Sequence, residues 1–468
     1  MQFILIVHLS IAVLASELSG VLPIGPWWGL AVLGCAPLLA GALGAHMNRL
    51  AQRGMDRQDQ SGVERALASS TRIGAKVAVL LIVAACSALP AAIDASVGRF
   101  ATIALFVLVA TGSTLMHDWM LYPVDRRLRE ARLMRELDSG APVHAVPTRG
   151  AYLLARARAG MIPLIAPVLI TVLIGELARF IALRLAPESA ETVRIAGSAA
   201  GVLCLFVVVP LIIPMLLGLR RLEPGPIRDD LESMAASAGV GMREIWVWPT
   251  DGLLANAAVM GLLPGLRCVM FSDGLLEGMS RPHIRAVMAH ELGHVVRRHM
   301  VWLIIVLLAC GVLAISAVEP LARVLFDRLA ADAEPAAQES IAQATSIGSD
   351  VGILAIALVL FGYASRRFER QADTFAVQLI SRSSGRQSAT PEAIDDVAGA
   401  LHMVAYLNHV PISRRSWRHG SIAWRMRYLR LLDGAPLASL PIDMQVAVIR
   451  WGSAAIVAAA ISLEFIGR

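Results

Sequence analysis

Residues 195–219 contain no charged side chain. In water such a run must be buried on every side. In a bilayer, about 20 apolar residues make a helix that crosses the hydrocarbon and satisfies its own backbone hydrogen bonds. Similar runs recur at residues 27–45, 77–93, 100–116, 159–175 and 301–318, with shorter ones at 1–16, 351–364 and 451–463. In the last, Arg450 must snorkel to the interface. Together they predict about eight spans and a weaker ninth. The whole chain agrees: 56% of its residues are hydrophobic and 17% charged, against about 45–50% and about 25% in soluble domains. That excludes a string of soluble domains and excludes disorder. The first residues are apolar without a basic leader or a cleavage site, and so read as a retained helix.

The formal charge is +6. Lys76 is the single lysine, so the excess is arginine, and it sits beside apolar runs rather than in a nucleic-acid patch. Residues 46–76 and 117–158 are arginine-rich loops, expected on the cytoplasmic side. Residues 319–350 hold Asp327, Asp332, Glu334 and Glu339 and are expected outside. This alternation places residues 220–300 and 365–443 in the cytoplasm, where the two stretches fold together. Cys35, Cys86, Cys204, Cys268 and Cys310 form no CxxC pair, which argues against a disulfide framework or a thiolate zinc site.

The strongest motif is His290-Glu291-Leu292-Gly293-His294. Residues i and i+4 share a helix face, so the two imidazoles can grip one zinc ion while Glu291 reaches a water beside it. Ser280 is a plausible N-cap, with Pro282 in the first turn. Gly293 costs about 1 kcal/mol relative to Ala in a helix, which suggests a neighbouring strand packed closely against it. A catalytic zinc needs a third protein ligand and an open corner. The metzincin spacing puts that ligand at Met300; His299 is one residue early, so that class is rejected. Glu369 and Asp373 in the segment 365–373 are also i, i+4. Glu369 can bind the metal while Asp373 accepts the N–H of a ligating histidine; spacing alone slightly favours a solvated face paired with Arg366, Arg367 and Arg370. His8, His46, His117, His144, His402 and His409 have no ligand spacing.

HELGH followed by a span, then SRRFERQAD at the end of another, resembles the HtpX-like and type I CaaX prenyl endopeptidase family of membrane-integrated zinc metalloproteases. Residues 254–261 (LANAAVMG) resemble that family's Asn-Ala strand, and residues 267–276 resemble the strand and turn before the zinc helix. Arg418-His419-Gly420-Ser421 with Arg425 resembles its late His…Arg pair, which contacts substrate. The match covers about residues 222–432. The resemblance implies a mainly α polytopic membrane protein with a cytoplasmic gluzincin-type domain and a small β-sheet. It implies one Zn2+ per chain on His290, His294 and Glu369, with Asp373 behind them. Glu291 would be the general base and His419 or Arg425 the oxyanion stabiliser. Asn256 and Ala257 would lie on an edge strand that binds substrate through its backbone, with residues 244–248 and 267–272 as partner strands.

The expected organisation is an N-terminal transmembrane region at 1–220 with about six spans, a first protease segment at 221–300, two spans at 301–364, a second protease segment at 365–443 and an apolar helix at 444–468. The expected activity is endopeptidase cleavage of membrane or membrane-proximal proteins at the cytoplasmic face of a bacterial inner membrane, with the bilayer and a protein or peptide substrate as partners and no nucleic acid. Cleavage of prenylated tails and quality-control cleavage both fit; the arginine-rich, lysine-poor composition hints at a GC-rich bacterial genome, hence quality control. A transporter or channel built from the extra spans, and a non-catalytic metal scaffold, are the competing readings.

Overall fold

The structure is a computed structural model that describes residues 2–57, 59, 70–139, 145–185, 187–252, 254–408, 410–438 and 440–466. The chain divides into two compact units, Met1–Leu205 and Phe206–Arg468. The N-terminal unit contains α1 (Gln2–Leu14), α2 (Pro26–Asp56), α3 (Ser70–Ala85), α4 (Leu89–Ser96), α5 (Arg99–Ser139), α6 (Arg149–Arg156) and α7 (Ile162–Leu185), with a π-helical turn at Ala157–Met161; α8 (Ala190–Leu217) runs into the second unit. Its core is Leu33, Leu81, Ile103 and Phe106 with many alanines. Small residues let helix backbones approach where lipid gives no hydrophobic drive for association.

The structure corrects several sequence expectations. Residues 77–93 are not one straight span: α3 and α4 meet at 62°. Ser87 causes the break. Its hydroxyl donates to the Ala84 carbonyl and accepts from the Leu89 amide, and Pro90 then starts the next helix. The arginine-rich loops are largely helical. α2 continues to Asp56 and α5 to Ser139, and α5 places Arg126 four residues before Glu130 and Arg129 four residues after Asp125, as ion pairs that support an exposed helix. His117 therefore lies buried in α5 and not in a loop; His144 and His409 fall outside the described residues. Among the described residues six helices are long and apolar enough to cross a membrane, seven with the bent pair taken as one.

The second unit contains β1 (Arg220–Arg221), α9 (Pro226–Ser237), β2 (Glu244–Trp248), β3 (Ala257–Met260), β4 (Cys268–Ser272), α10 (Asp273–Gly278), α11 (Arg281–Val296), α12 (His299–Ala330), α13 (Pro335–Ser383), α14 (Pro391–Leu407), α15 (Ile422–Arg430) and α16 (Pro441–Ile466). The strands form one sheet in the order β1-β2-β4-β3; β2 and β4 are parallel and the outer pairs antiparallel. β2 and β4 lie where the sequence put them. The acidic stretch 319–350 is not a long loop, because α12 extends to Ala330 and α13 begins at Pro335. Ile245, Val269, Phe271, Ile284, Met288, Leu292, Phe368 and Val377 pack sheet, α11 and α13 into one core. Among the described residues Cys35, Cys86, Cys268 and Cys310 are free thiols.

Candidate metal centre

α11 starts at Ser280 in extended conformation with Pro282 in its first turn, where proline's missing N–H costs nothing. It crosses α13 at Gly293. A Cβ there would stand 3.1 Å from Ala372 Cα, 3.2 Å from Ala372 O and 3.2 Å from Phe375 Cδ1. The close neighbour is thus the helix carrying Glu369 and Asp373; the expected strand is not there. The absent side chain lets the two helices meet.

That contact brings three donor groups together. His290 Nε2 and His294 Nε2 are 3.2 Å apart. Glu369 Oε2 lies 3.7 Å from the first and Oε1 3.8 Å from the second. All three ligand atoms fall within 4.8 Å of one another. Zinc held at about 2.0–2.1 Å in a tetrahedron spaces its ligand atoms about 3.3–3.4 Å apart, so the donor set fits with a few tenths of an ångström of closure.

The protons around the two imidazoles point to the same conclusion. His290 Nδ1 lies 2.9 Å from Asp373 Oδ1, so in the neutral ring the proton sits on that side and Nε2 is the bare nitrogen. For His294 the chain of reasoning is longer. Gln371 donates its amide N–H to Asp443 at 2.6 Å, which turns its oxygen toward His299 Nε2, 2.9 Å away. His299 therefore donates from Nε2 and accepts at Nδ1, where His294 Nδ1 sits at 2.9 Å. His294 spends its proton there. Two bare nitrogens then face each other across 3.2 Å, an arrangement that a cation between them relieves.

Sequence reasoning set His299 aside as a misplaced ligand and did not find Gln371. Arg298 explains the geometry: its backbone is left-handed (φ 53°), so the chain turns sharply between α11 and α12 and returns His299, fully buried, to the back of His294. A histidine five residues past the motif was the available signal.

Burial pushes the Glu291 carboxyl up to about 7 and takes His294 down to about 4. Burial also opposes charge on His290, but the adjacent Asp373 outweighs it and holds that imidazole above its usual value. Arg425 is 7% exposed. It donates from Nε to Asp373 Oδ2 at 2.7 Å and from Nη2 to Oδ1 at 2.5 Å, and its Nη1 lies 3.2 Å from Glu369 Oε2. Its guanidinium is engaged by these acids rather than turned to an open cleft, and despite burial they hold it charged above its ordinary range. His419 is half-exposed, with Nδ1 2.9 Å from Glu369 Oε1.

β3 forms the edge beside Glu291. The Ser272 amide donates to Asn256 O, so by the alternation of an antiparallel ladder Ala257 and Val259 turn their backbone groups away from β4. The Val259 N–H accordingly donates to Glu291 Oε2 at 3.1 Å. Asn408, at the end of α14, fixes the strand's entry by accepting from the Ala255 N–H and donating to the Ala255 carbonyl. Asn256 is exposed.

Residues 221–430 match the family model described as Peptidase family M48. Similar proteins include a "Protease HtpX homolog" of Prosthecochloris aestuarii, 29% identical over 205 residues, which are 40% of this chain and 69% of that protein. Another of the same name, from Desulfotalea psychrophila, is 30% identical over 151 residues, 32% of this chain and 51% of the relative. A "Protease HtpX" of Acinetobacter baumannii is 33% identical over 97 residues, 19% of this chain and 32% of the relative. Apart from the first of these, the chain spans about half the length of the relatives it matches, or less. A crystal structure of Ste24p from S. mikatae aligns over 87% of this chain and 100% of its own with 14% identity and a TM-score of 0.38.

Proposed function

We propose, for a chain that belongs to Peptidase family M48 through residues 221–430, that it is a zinc-dependent endopeptidase acting on membrane or membrane-proximal proteins. The carrying observation is the convergence of His290 Nε2, His294 Nε2 and the Glu369 carboxylate, with Glu291 beside them. His290, His294 and Glu369 would hold one zinc ion. When bound, zinc supplies a water acidified to around pKa 7 and polarises the scissile carbonyl.

The rest falls to the chain's own groups. Glu291 takes the proton from the attacking water and passes it to the leaving amine; a carboxyl held near 7 by burial is matched to doing both. Asp373 and His299 keep the two ligating rings in the tautomers that point Nε2 at the metal. Arg425 positions Glu369 and Asp373. His419, the more exposed of the late pair, donates to the developing oxyanion. The outward backbone groups of Ala257 and the outward carbonyl of Val259, with Asn256 at the strand's start, take an extended substrate as an added strand. The arginine-rich ends of α2 and α5 favour the cytoplasm for their side of the membrane, and a bacterial inner membrane for the whole. The proposed division keeps spans at 1–220 and 301–364, protease segments at 221–300 and 365–443, and an apolar helix at 444–468.

The test is purified full-length protein, assayed for zinc content and for cleavage of a denatured membrane substrate. One zinc per chain with cleavage supports the reading. Zinc without cleavage of any such substrate favours a scaffold, and solute flux in proteoliposomes that survives Glu291→Gln favours a transporter.

A further inference from the structure

Beyond the metal centre, α13, α15 and the segment between α14 and α15 enclose a groove of about 1100 Å3. Arg366, Arg367, Arg415, Arg427 and Arg430 line it, and neither Asp nor Glu does. Among the described residues none of these five guanidiniums forms an ion pair. Arg366 donates to the Trp417 carbonyl, and Arg367 stacks over Tyr363 and Trp424 with its Nε buried and without a partner. Elsewhere in this unit Arg228 is paired with Glu232 and Glu244, Arg285 with Asp230 and Arg425 with Asp373. Five like charges gathered without a counter-charge repel one another; an anion relieves that, and guanidinium forks suit phosphate oxygens.

The groove's depth identifies the source of the anion. On α13, Val351, Leu354, Ile356 and Val359 are exposed apolar side chains on a helix able to cross the membrane. At 1.5 Å per residue, Tyr363 follows Val359 by about 6 Å and Arg367 by about 12 Å. The headgroup layer beyond the hydrocarbon is about 5–8 Å thick on each side, so Tyr363, at the groove's near end, falls in it, and Arg367 stands a few ångströms past its outer edge. Tyr363, Trp417 and Trp424 are residue types of the membrane–water interface, and Leu431, 79% exposed, follows Arg430 directly.

We propose that this groove binds the phosphate of an anionic phospholipid headgroup. The binding does not require that the protein be a hydrolase. It does bear on the neighbouring site, because the segment that lines the groove also carries His419, whose ring touches Glu369.

The test uses detergent-purified full-length protein and calorimetric titration with dioctanoyl phosphatidylglycerol, dioctanoyl phosphatidylcholine, glycerol phosphate, inorganic phosphate and an acidic octapeptide. The anionic lipid should bind at least about tenfold more tightly than the zwitterionic one, and more weakly as salt rises. Each arginine near an anionic surface is worth about fivefold, so replacing the exposed Arg415, Arg427 and Arg430 together by Gln should weaken binding about a hundredfold. Replacing the same three by Lys should retain most of it, and tests the charge even if the Gln variant does not fold. Equal binding of the two lipids overturns the proposal. So does glycerol phosphate or inorganic phosphate binding as tightly as the lipid, which would make the ligand a free phosphate, and so does binding of the peptide alone.

Discussion

Gly293 is where packing and metal chemistry meet, and Gly293→Ala tests the connection. The added methyl would stand 3.1 and 3.2 Å from the Ala372 backbone and 3.2 Å from the Phe375 ring, tighter than ordinary van der Waals contact. Forcing extra atoms into a packed core costs about 1–3 kcal/mol, while alanine regains about 1 kcal/mol of helix propensity over glycine. The net is a loss of about 0–2 kcal/mol for Ala, and about 3 kcal/mol or more for the larger, β-branched Val. The consequence for the metal is sharper. Glu369 sits one turn from Ala372 on the same helix, and its oxygens are already 3.7 and 3.8 Å from the imidazole nitrogens. Moving α13 outward by a few tenths of an ångström widens the gap that zinc has to close. Changes that disturb ligand placement typically cost 10–100-fold in affinity. Competition with a chromogenic chelator, beside thermal unfolding in detergent, should rank the parent above Ala and Ala above Val in both. A Val variant that holds zinc as tightly as the parent would refute the idea that this helix crossing sets the coordination geometry.

Glu291→Gln should retain zinc and lower cleavage by about 10²–10⁴-fold; substantial remaining turnover would remove Glu291 as the base. Asp373→Asn should weaken zinc binding about 10–100-fold by freeing the His290 ring, and unchanged affinity in equilibrium dialysis would count against that pairing. His299→Phe should lower zinc affinity in the same range, because His294 loses the acceptor that fixes its tautomer; His299→Gln should recover part of it. Glu291 must be ionised to accept a proton, and burial holds it near 7. A pH–rate profile should therefore fall on the acid side at or below about 7, since a nearby cation can only move that limb lower; a rate that climbs on acidification would contradict the assignment.

The helical membrane class, the two central strands and the two i, i+4 pairs were legible from sequence because each rests on local periodicity, whereas the convergence of the two pairs came from the family resemblance. The i, i+4 spacing of His290 with His294 and of Glu369 with Asp373 needs only the helix repeat. Helix lengths were not legible. Charge in residues 46–56, 117–139 and 335–350 looked like loop, yet helices leave the bilayer and continue while i, i+4 ion pairs support them. Gly293 signalled a close neighbour without saying what kind, since a missing side chain carries no information about its partner. His299, Gln371 and Arg425 act through contacts between residues far apart in the chain. Arg425 resembled a residue aimed at substrate because sequence does not record burial.

Glu369, the third residue of the candidate metal site, and a segment long and apolar enough to cross a membrane belong to one uninterrupted rod. α13 runs from Pro335 to Ser383 without a break, about 73 Å at 1.5 Å per residue, and α11 reaches α12 through only Arg297 and Arg298. A fragment trimmed of its apolar portions, made to be soluble, would lose the frame that aligns the two halves of the coordination shell. In a bilayer, lateral pressure or thickness changes would act on the same rod, and so on the candidate site it carries.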